Sequence, residues 1–164
     1  GVSSMDFYNA ISTFQGAANR LEKIYSGDTS AVYRDFAHAP SKLKATLEAA
    51  KSQFPERRLT ACFELHTYSS LSREFLPQYA GTMDEADDAV VFYSPHALEI
   101  KRLPLLEKEF VLEGFARPDL KVFTNTDQLK SYLSAQKWGH HNLLMMSSGN
   151  FDGITIDDLK NIVS

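Results

Sequence analysis

Two runs constrain the architecture before anything else does. Residues 59–65 (LTACFEL) and 89–93 (AVVFY) are apolar almost without interruption. A strand with one wet face alternates apolar and polar residues. A near-continuous apolar strand needs cover on both faces, which a parallel sheet between two layers of helices provides.

The intervening segments fit that plan. Strands are predicted at 21–25 and 31–37, joined by a turn at Ser26-Gly27-Asp28. Pro40 suits the first turn of a helix, where its missing N–H costs nothing. Leu43, Leu47, Ala50 and Phe54 give that helix one apolar face, and Pro55 stops it. A short helix over 72–79 and an acidic loop over 84–88 lead to the strand at 89–93. Residues 98–114 read as helical in part, interrupted at Pro104. A strand at 122–124 precedes a helix over 127–136 with Asp127 as N-cap. The last strand is 143–146 and the closing helix 156–163. Near the start, Phe7, Ala10, Ile11 and Phe14 predict a helix over 4–14, ended at Gly16.

From residue 31 onward strands and helices alternate. The predicted fold is α/β: a Rossmann-like three-layer domain with a mostly parallel sheet of about six strands, helices on both faces and right-handed crossovers. Residues 1–164 read as a single domain. Gly1-Val2-Ser3-Ser4 is no signal peptide. A Gly in place of Met reads as a protease scar, so the chain is expected to be a piece of something longer.

Charge excludes some partners. The net charge is −4, and the basic residues occur as isolated pairs, Arg57-Arg58 and Lys101-Arg102. No nucleic-acid surface is expected. No apolar run is long enough to span a bilayer, so no membrane is expected either. Cys62, the one cysteine, rules out an intrachain disulfide and lies inside an apolar run. It reads as a buried, inert thiol in a reducing cytoplasm.

Three polar strand-to-helix junctions carry the candidate chemistry. In a parallel sheet such junctions share one edge, where ligands bind. The first is Tyr33-Arg34-Asp35-Phe36-Ala37-His38-Ala39-Pro40. Its carboxylate can accept from sugar hydroxyls and its imidazole can meet a carboxylate or phosphate; alternatively Asp35 caps the helix and His38 is a solvated loop residue. The second is Phe63-Glu64-Leu65-His66-Thr67-Tyr68-Ser69-Ser70. Glu64 and His66 share a parity and so a face, although Glu64 can equally be a satisfied polar group near the core. A metal held by His38, His66 and Glu64 lacks any close ligand pair such as HxxxH, and none is predicted. The adjacent His140-His141 precedes a strand and is expected at the opposite edge, on the surface. The third is Met146-Ser147-Ser148-Gly149-Asn150-Phe151-Asp152-Gly153, whose Gly and Ser residues let backbone N–H groups approach a ligand, or simply make a tight turn. No GxxxxGK[ST], GxGxxG or GxSxG occurs.

Three segments carry a resemblance that spans nearly the whole chain. Phe14-Gln15-Gly16-Ala17-Ala18-Asn19-Arg20-Leu21-Glu22 is similar to the F-x-G-x-x-x-R-x-E opening of the C-terminal domain of the Mur ligases. Asp35-Phe36-Ala37-His38-Ala39-Pro40 resembles that family's D-[FY]-[AG]-H-x-P motif. The segment MSSGNFDGI over 146–154 resembles the MSNGGFGGI of its murein tripeptide ligase branch, which joins L-alanyl-γ-D-glutamyl-meso-diaminopimelate to UDP-N-acetylmuramate. The resemblance implies one domain of an ATP-dependent amide-forming ligase of peptidoglycan synthesis or recycling. An N-terminal domain binds the UDP-sugar, and a central domain carries the P-loop and holds most of the ATP and Mg²⁺. The lactyl carboxylate is phosphorylated and the amine attacks the acyl phosphate. Arg20 and Asp35 would then contact ATP. His38, Glu64, His66, Ser147, Ser148, Gly149 and Asn150 would form the amine-substrate pocket. No residue of this domain alone would be catalytic, and the isolated domain would be inactive without a P-loop.

The chain also departs from the family's patterns. The L-alanine-adding branch has F-Q-P-H-R-Y-[ST]-R where this chain has FELHTYSS, so Thr67 and Ser70 replace two arginines. The tripeptide branch has F-E-P-R-S-N-T; Glu64 matches, while His66 replaces its arginine and Tyr68 its asparagine. The amine substrate stays open between peptide and L-alanine, and a non-catalytic nucleotide- or small-molecule-binding α/β domain stays open beside both.

Overall fold

A computed structural model describes residues 21–164. The predicted helix over 4–14, its stop at Gly16, and Arg20 lie outside these residues. The described elements begin with strands β1 (Glu22–Ser26) and β2 (Ser30–Asp35), helix α1 (Pro40–Gln53) and β3 (Arg58–Glu64). A single 3₁₀ turn (Leu76–Tyr79) leads to β4 (Asp88–Phe92), α2 (Pro95–Ile100) and α3 (Lys108–Phe115). The chain ends with β5 (Lys121–Phe123), α4 (Thr126–Ser134), β6 (His141–Met146) and α5 (Ile156–Val163).

The strands form one sheet in the order β1-β2-β6-β3-β4-β5. Only β1 runs antiparallel, against β2; the pairs β2/β6, β6/β3, β3/β4 and β4/β5 are parallel. Residues of odd number in β2 and β3 face one core with α1, the 3₁₀ turn and α3: Ala31, Tyr33, Ala61 and Phe63 meet Leu43, Leu47, Tyr79 and Phe115. Their even-numbered neighbours Val32 and Cys62 face a second core with α4 and α5, through Leu129, Leu133, Leu159 and Val163. This is the three-layer α/β architecture expected from the doubly apolar strands.

The order of the strands places the site. The connections β2→β3, β3→β4 and β4→β5 advance across the sheet on the α1 face, skipping the place of β6. The chain then returns through α4 on the other face to fill that place, and continues into α5 on the same side. Right-handed crossovers require this: reversing direction across the sheet reverses the face. So β6 sends its chain to one face while β2 and β3, its neighbours, send theirs to the other. Crevices open beside β6 at the carboxyl ends, the topological switch points where ligands bind in such sheets.

Local expectations differ at a few places. Strand β2 stops at Asp35, two residues early, because the Asp35 carboxylate turns back on the Ala37 N–H at 2.7 Å. Only Leu76–Tyr79 of the segment 72–79 is helical, as one 3₁₀ turn. Residues 98–114 hold the end of α2 and most of α3, separated by a break that contains Pro104. The N-cap of α4 is Asn125, whose side chain accepts from Gln128 N–H at 3.0 Å; Asp127 lies in the first turn. His141 is buried, not on the surface. Its Nε2 lies 2.8 Å from Thr60 Oγ1 and its Nδ1 2.8 Å from Lys137 O, and the ring packs on Trp138. The partner Thr60 stands 81 positions away, which no local reading reveals.

Candidate functional site at the carboxyl edge of the sheet

Residues more than a hundred positions apart meet because β2 and β6 are parallel neighbours, with Asp35 beside Met146 in register. The Ser147 N–H donates to Asp35 O at 3.1 Å and extends the ladder by one bond. Beyond it opens a groove of about 220 Å³ lined by Arg34, Asp35, Phe36, Ser147 and Gly149. A smaller recess of about 70 Å³ shares Arg34, Ser147 and Gly149 and runs toward α5, ending on Ile156 and Leu159.

Asp35 is buried, at 6% exposure. Its Oδ2 accepts from Leu21 N–H at 2.6 Å; its Oδ1 accepts from Ala37 N–H at 2.7 Å and from the Thr46 hydroxyl at 3.3 Å. It does not cap α1, whose N-cap is Ala39 with no side-chain bond. Phe36, just beyond β2, is 46% exposed and lines the groove beside Asp35. The His38 ring stands edge-on to it at 5.5 Å, with Nδ1 3.1 Å from Phe36 O. The Tyr79 hydroxyl donates to His38 O at 2.8 Å and fixes the backbone there. Burial pushes that phenol's pKa up, so it remains a donor.

On the other side of β6, Glu64 is 3% exposed. Its Oε2 accepts from the Ser147 hydroxyl and from Phe151 N–H, the latter at 2.8 Å. Ser147 Oγ in turn accepts from Gly149 N–H at 2.6 Å. His66 Nδ1 lies 3.6 Å from Glu64 Oε1, so the two share a face as their parity predicts. The His66 ring rests on Gly149: a β-carbon there would come within 2.8 Å of Nδ1. The Ser148 hydroxyl is buried without a partner, while Asn150 is exposed and its carbonyl accepts from Gly153 and Ile154.

The fold therefore brings Asp35, Ser147 and Gly149 into one groove, and binds Glu64 and His66 to the same β6 loop from behind. His38, Glu64 and His66 do not line the groove. Among the described residues no three His, Cys, Asp or Glu side chains gather as metal ligands. Arg34, which sequence reasoning passed over, lines both recesses, its guanidinium 2.7 Å from Glu22. Its signal was parity: it follows Val32 on the α5 face of β2.

Fold and site together define a doubly wound α/β domain with a ligand edge at the switch strand. The chain belongs to the Mur ligase family: residues 19–149 match that family's glutamate ligase domain. The UDP-N-acetylmuramate–L-alanine ligase of Gloeobacter violaceus is 32% identical over 94% of this chain and 33% of its own length. That of Brachyspira hyodysenteriae is 30% identical over 92% of this chain and 32% of its own. A murein peptide ligase from Psychrobacter arcticus superposes with a TM-score of 0.70 at 24% identity, covering 95% of this chain and 32% of that one. The chain spans a fifth to a third of the length of the curated relatives it matches. No helix among the described residues is long and apolar enough to cross a membrane.

Proposed function

We propose that this chain is the C-terminal, amine-substrate domain of a cytoplasmic ATP-dependent ligase of peptidoglycan synthesis or recycling, joining an amine to the lactyl carboxylate of UDP-N-acetylmuramate. The observation that carries this is the groove between the β2 and β6 ends, where the D-F-A-H-x-P and S-S-G-N segments meet. N-terminal and central domains on the same polypeptide would supply the UDP-sugar site and the P-loop, and product forms when they close on this edge.

The donor set suits the rim of a nucleotide site. Arg34 offers a guanidinium for phosphate, Phe36 an exposed ring, and Gly149 lets backbone approach closely. Asp35 and Arg20 remain the proposed ATP contacts, Asp35 through what its three present donors leave of the carboxylate. The nucleotide supplies the phosphoryl group that activates the carboxylate; Mg²⁺ would be held mainly by the central domain. His38, Glu64, His66 and residues 147–150 are the proposed amine-substrate side.

A peptide amine fits this edge better than L-alanine. Thr67 and Ser70, standing where the alanine branch has arginines, close a turn on themselves. The Thr67 hydroxyl accepts from Ser70 N–H at 3.1 Å and the Ser70 hydroxyl donates to Thr67 O at 3.0 Å. Ser70 is also buried, so no carboxylate clamp stands at these positions. The test is ATP-dependent phosphate release with UDP-N-acetylmuramate and either amine, by the chain joined to its two upstream domains. Turnover with the L-alanyl-γ-D-glutamyl-meso-diaminopimelate tripeptide alone is expected. Turnover with L-alanine would move the protein to the synthetic branch; turnover with neither would leave the fold assignment standing and the substrate assignment wrong.

A further inference from the structure

Glu64 joins two strand ends rather than facing the groove. Both of its loop donors, the Ser147 hydroxyl and Phe151 N–H, converge on Oε2, across 83 and 87 positions of sequence. Ser147 relays the bond to Gly149 N–H. The other oxygen, Oε1, faces His66 Nδ1 at 3.6 Å, and the imidazole lies against Gly149. The Glu64 side chain is 2% exposed and the His66 side chain 36%. A ligand arriving from solvent therefore meets the ring and not the carboxylate.

A buried carboxylate with this many convergent donors is costly to leave unpaired and holds its partners in one arrangement. Other contacts reach the same loop: the Thr126 hydroxyl donates to Phe151 O at 2.9 Å, and the buried Phe151 ring packs 5.9 Å from Phe92. Glu64 is the group that ties it to the end of β3. Phe151 and Asp152 both take left-handed backbone, with φ of 54° and 57°, followed by Gly153 at 107°. Non-glycine residues reach that region at a cost that surrounding contacts must offset.

We infer that Glu64 is a positioning residue: it locks the 147–151 loop to the end of β3 and holds the His66 imidazole over Gly149, so that at the β3 end of this edge His66, and not Glu64, is the side chain open to a ligand. This refines the amine-site reading of Glu64 and rests on this edge being the ligand site. Its test uses no ligand and so fails or succeeds apart from the ligase reading.

The experiment is NMR on the ¹⁵N,¹³C-labelled chain, with Glu64→Ala, Glu64→Gln and Ser147→Ala. The wild type should show a nuclear Overhauser contact between His66 ring protons and Gly149 Hα, and slow exchange of the Phe151 amide. Glu64→Ala should abolish the contact and speed Phe151 exchange about tenfold or more, with the Val91 amide in mid-sheet unchanged. Glu64→Gln should keep Phe151 protected, since one amide oxygen can accept from both donors. Ser147→Ala leaves the Phe151 bond and frees Gly149, so it should weaken the ring contact alone; it decides the matter should Glu64→Ala fail to fold. A wild type without the His66–Gly149 contact, a Glu64→Ala variant that keeps it together with wild-type protection, or a Ser147→Ala variant that keeps it at full strength would overturn the inference.

Discussion

Leu21 and Asp35 are tied end to end: the Leu21 N–H donates to the buried Asp35 carboxylate at 2.6 Å, where the chain enters β1. The same carboxylate holds Ala37 N–H and the Thr46 hydroxyl, so one side chain joins the edge strand, the β2 end and α1. Asp35→Ala leaves two backbone donors without their partner. The expected loss is about 2–4 kcal/mol, in addition to any effect on ligation. Asp35→Asn keeps one acceptor oxygen and should lose less. Urea unfolding checks both; an Asp35→Ala variant as stable as the parent would show that water replaces the carboxylate at no cost.

Gly114 tests which of two effects wins. Alanine is the better helix former by about 1 kcal/mol, and Gly114 sits inside α3. A β-carbon there, however, would come within 2.6 Å of Leu76 Cβ and 2.9 Å of the Leu76 carbonyl carbon. Backbone cannot swing aside as a side-chain tip can, so Gly114→Ala should destabilise by about 1–3 kcal/mol net. A shift of the denaturation midpoint to higher urea would refute this.

Acid should loosen α5 before the rest of the sheet. Asp158 accepts from Thr155 N–H at 2.9 Å in a capping box, and from Lys130 Nζ at 2.9 Å. The backbone bond from Thr155 first, then those from Lys130 and the Thr155 hydroxyl, lower its pKa to about 2. A depressed carboxylate stabilises fully above its unfolded pKa of 3.8 and loses that contribution as pH falls toward 2. Amide exchange in α5 should therefore accelerate over that window relative to β3, and Asp158→Asn should flatten the difference.

Cys62 is fully buried on the α4–α5 side of β3, and burial pushes its thiol pKa up. The thiolate is the reactive form. Ellman's reagent should leave the native chain unlabelled and modify it at once in urea well above the unfolding midpoint. Rapid native labelling would mean that the sheet opens locally there.

The layers of the fold were legible because burial on two faces leaves its mark residue by residue. Val32, Cys62 and Val90 alternate with Tyr33, Ala61 and Val91 between two cores, and no position in the run can be polar without a partner. Helix α5 was legible end to end, and α1 through Pro40 and its apolar stripe. The interruption at Pro104 was legible too, and it falls in the break between α2 and α3. The shortness of the 3₁₀ turn was not, because Leu76 and Tyr79 are set by packing in the core rather than by local propensity. Within the site, the parity of Glu64 and His66 was readable, and so was the meeting of two distant motifs along one edge. Arg34 was passed over: its parity with Val32 gave the face of β2, but only the tertiary structure showed that a groove opens there.

The amino-acid sequence by itself determined a doubly covered α/β sheet, the three polar junctions on its carboxyl edge and, through residues 19–149, the family. These are matters of periodicity and of motif, which are local. Tertiary structure alone decided that β6 enters between β2 and β3, and hence which junctions face one groove. It also decided that Asp35 and Glu64 spend their oxygens on backbone and loop, while Arg34 and His66 remain half open to solvent. Strand order depends on which crossovers can close right-handed over the whole sheet, and a carboxylate's role depends on donors up to 87 positions away; neither is written in any local stretch of the chain.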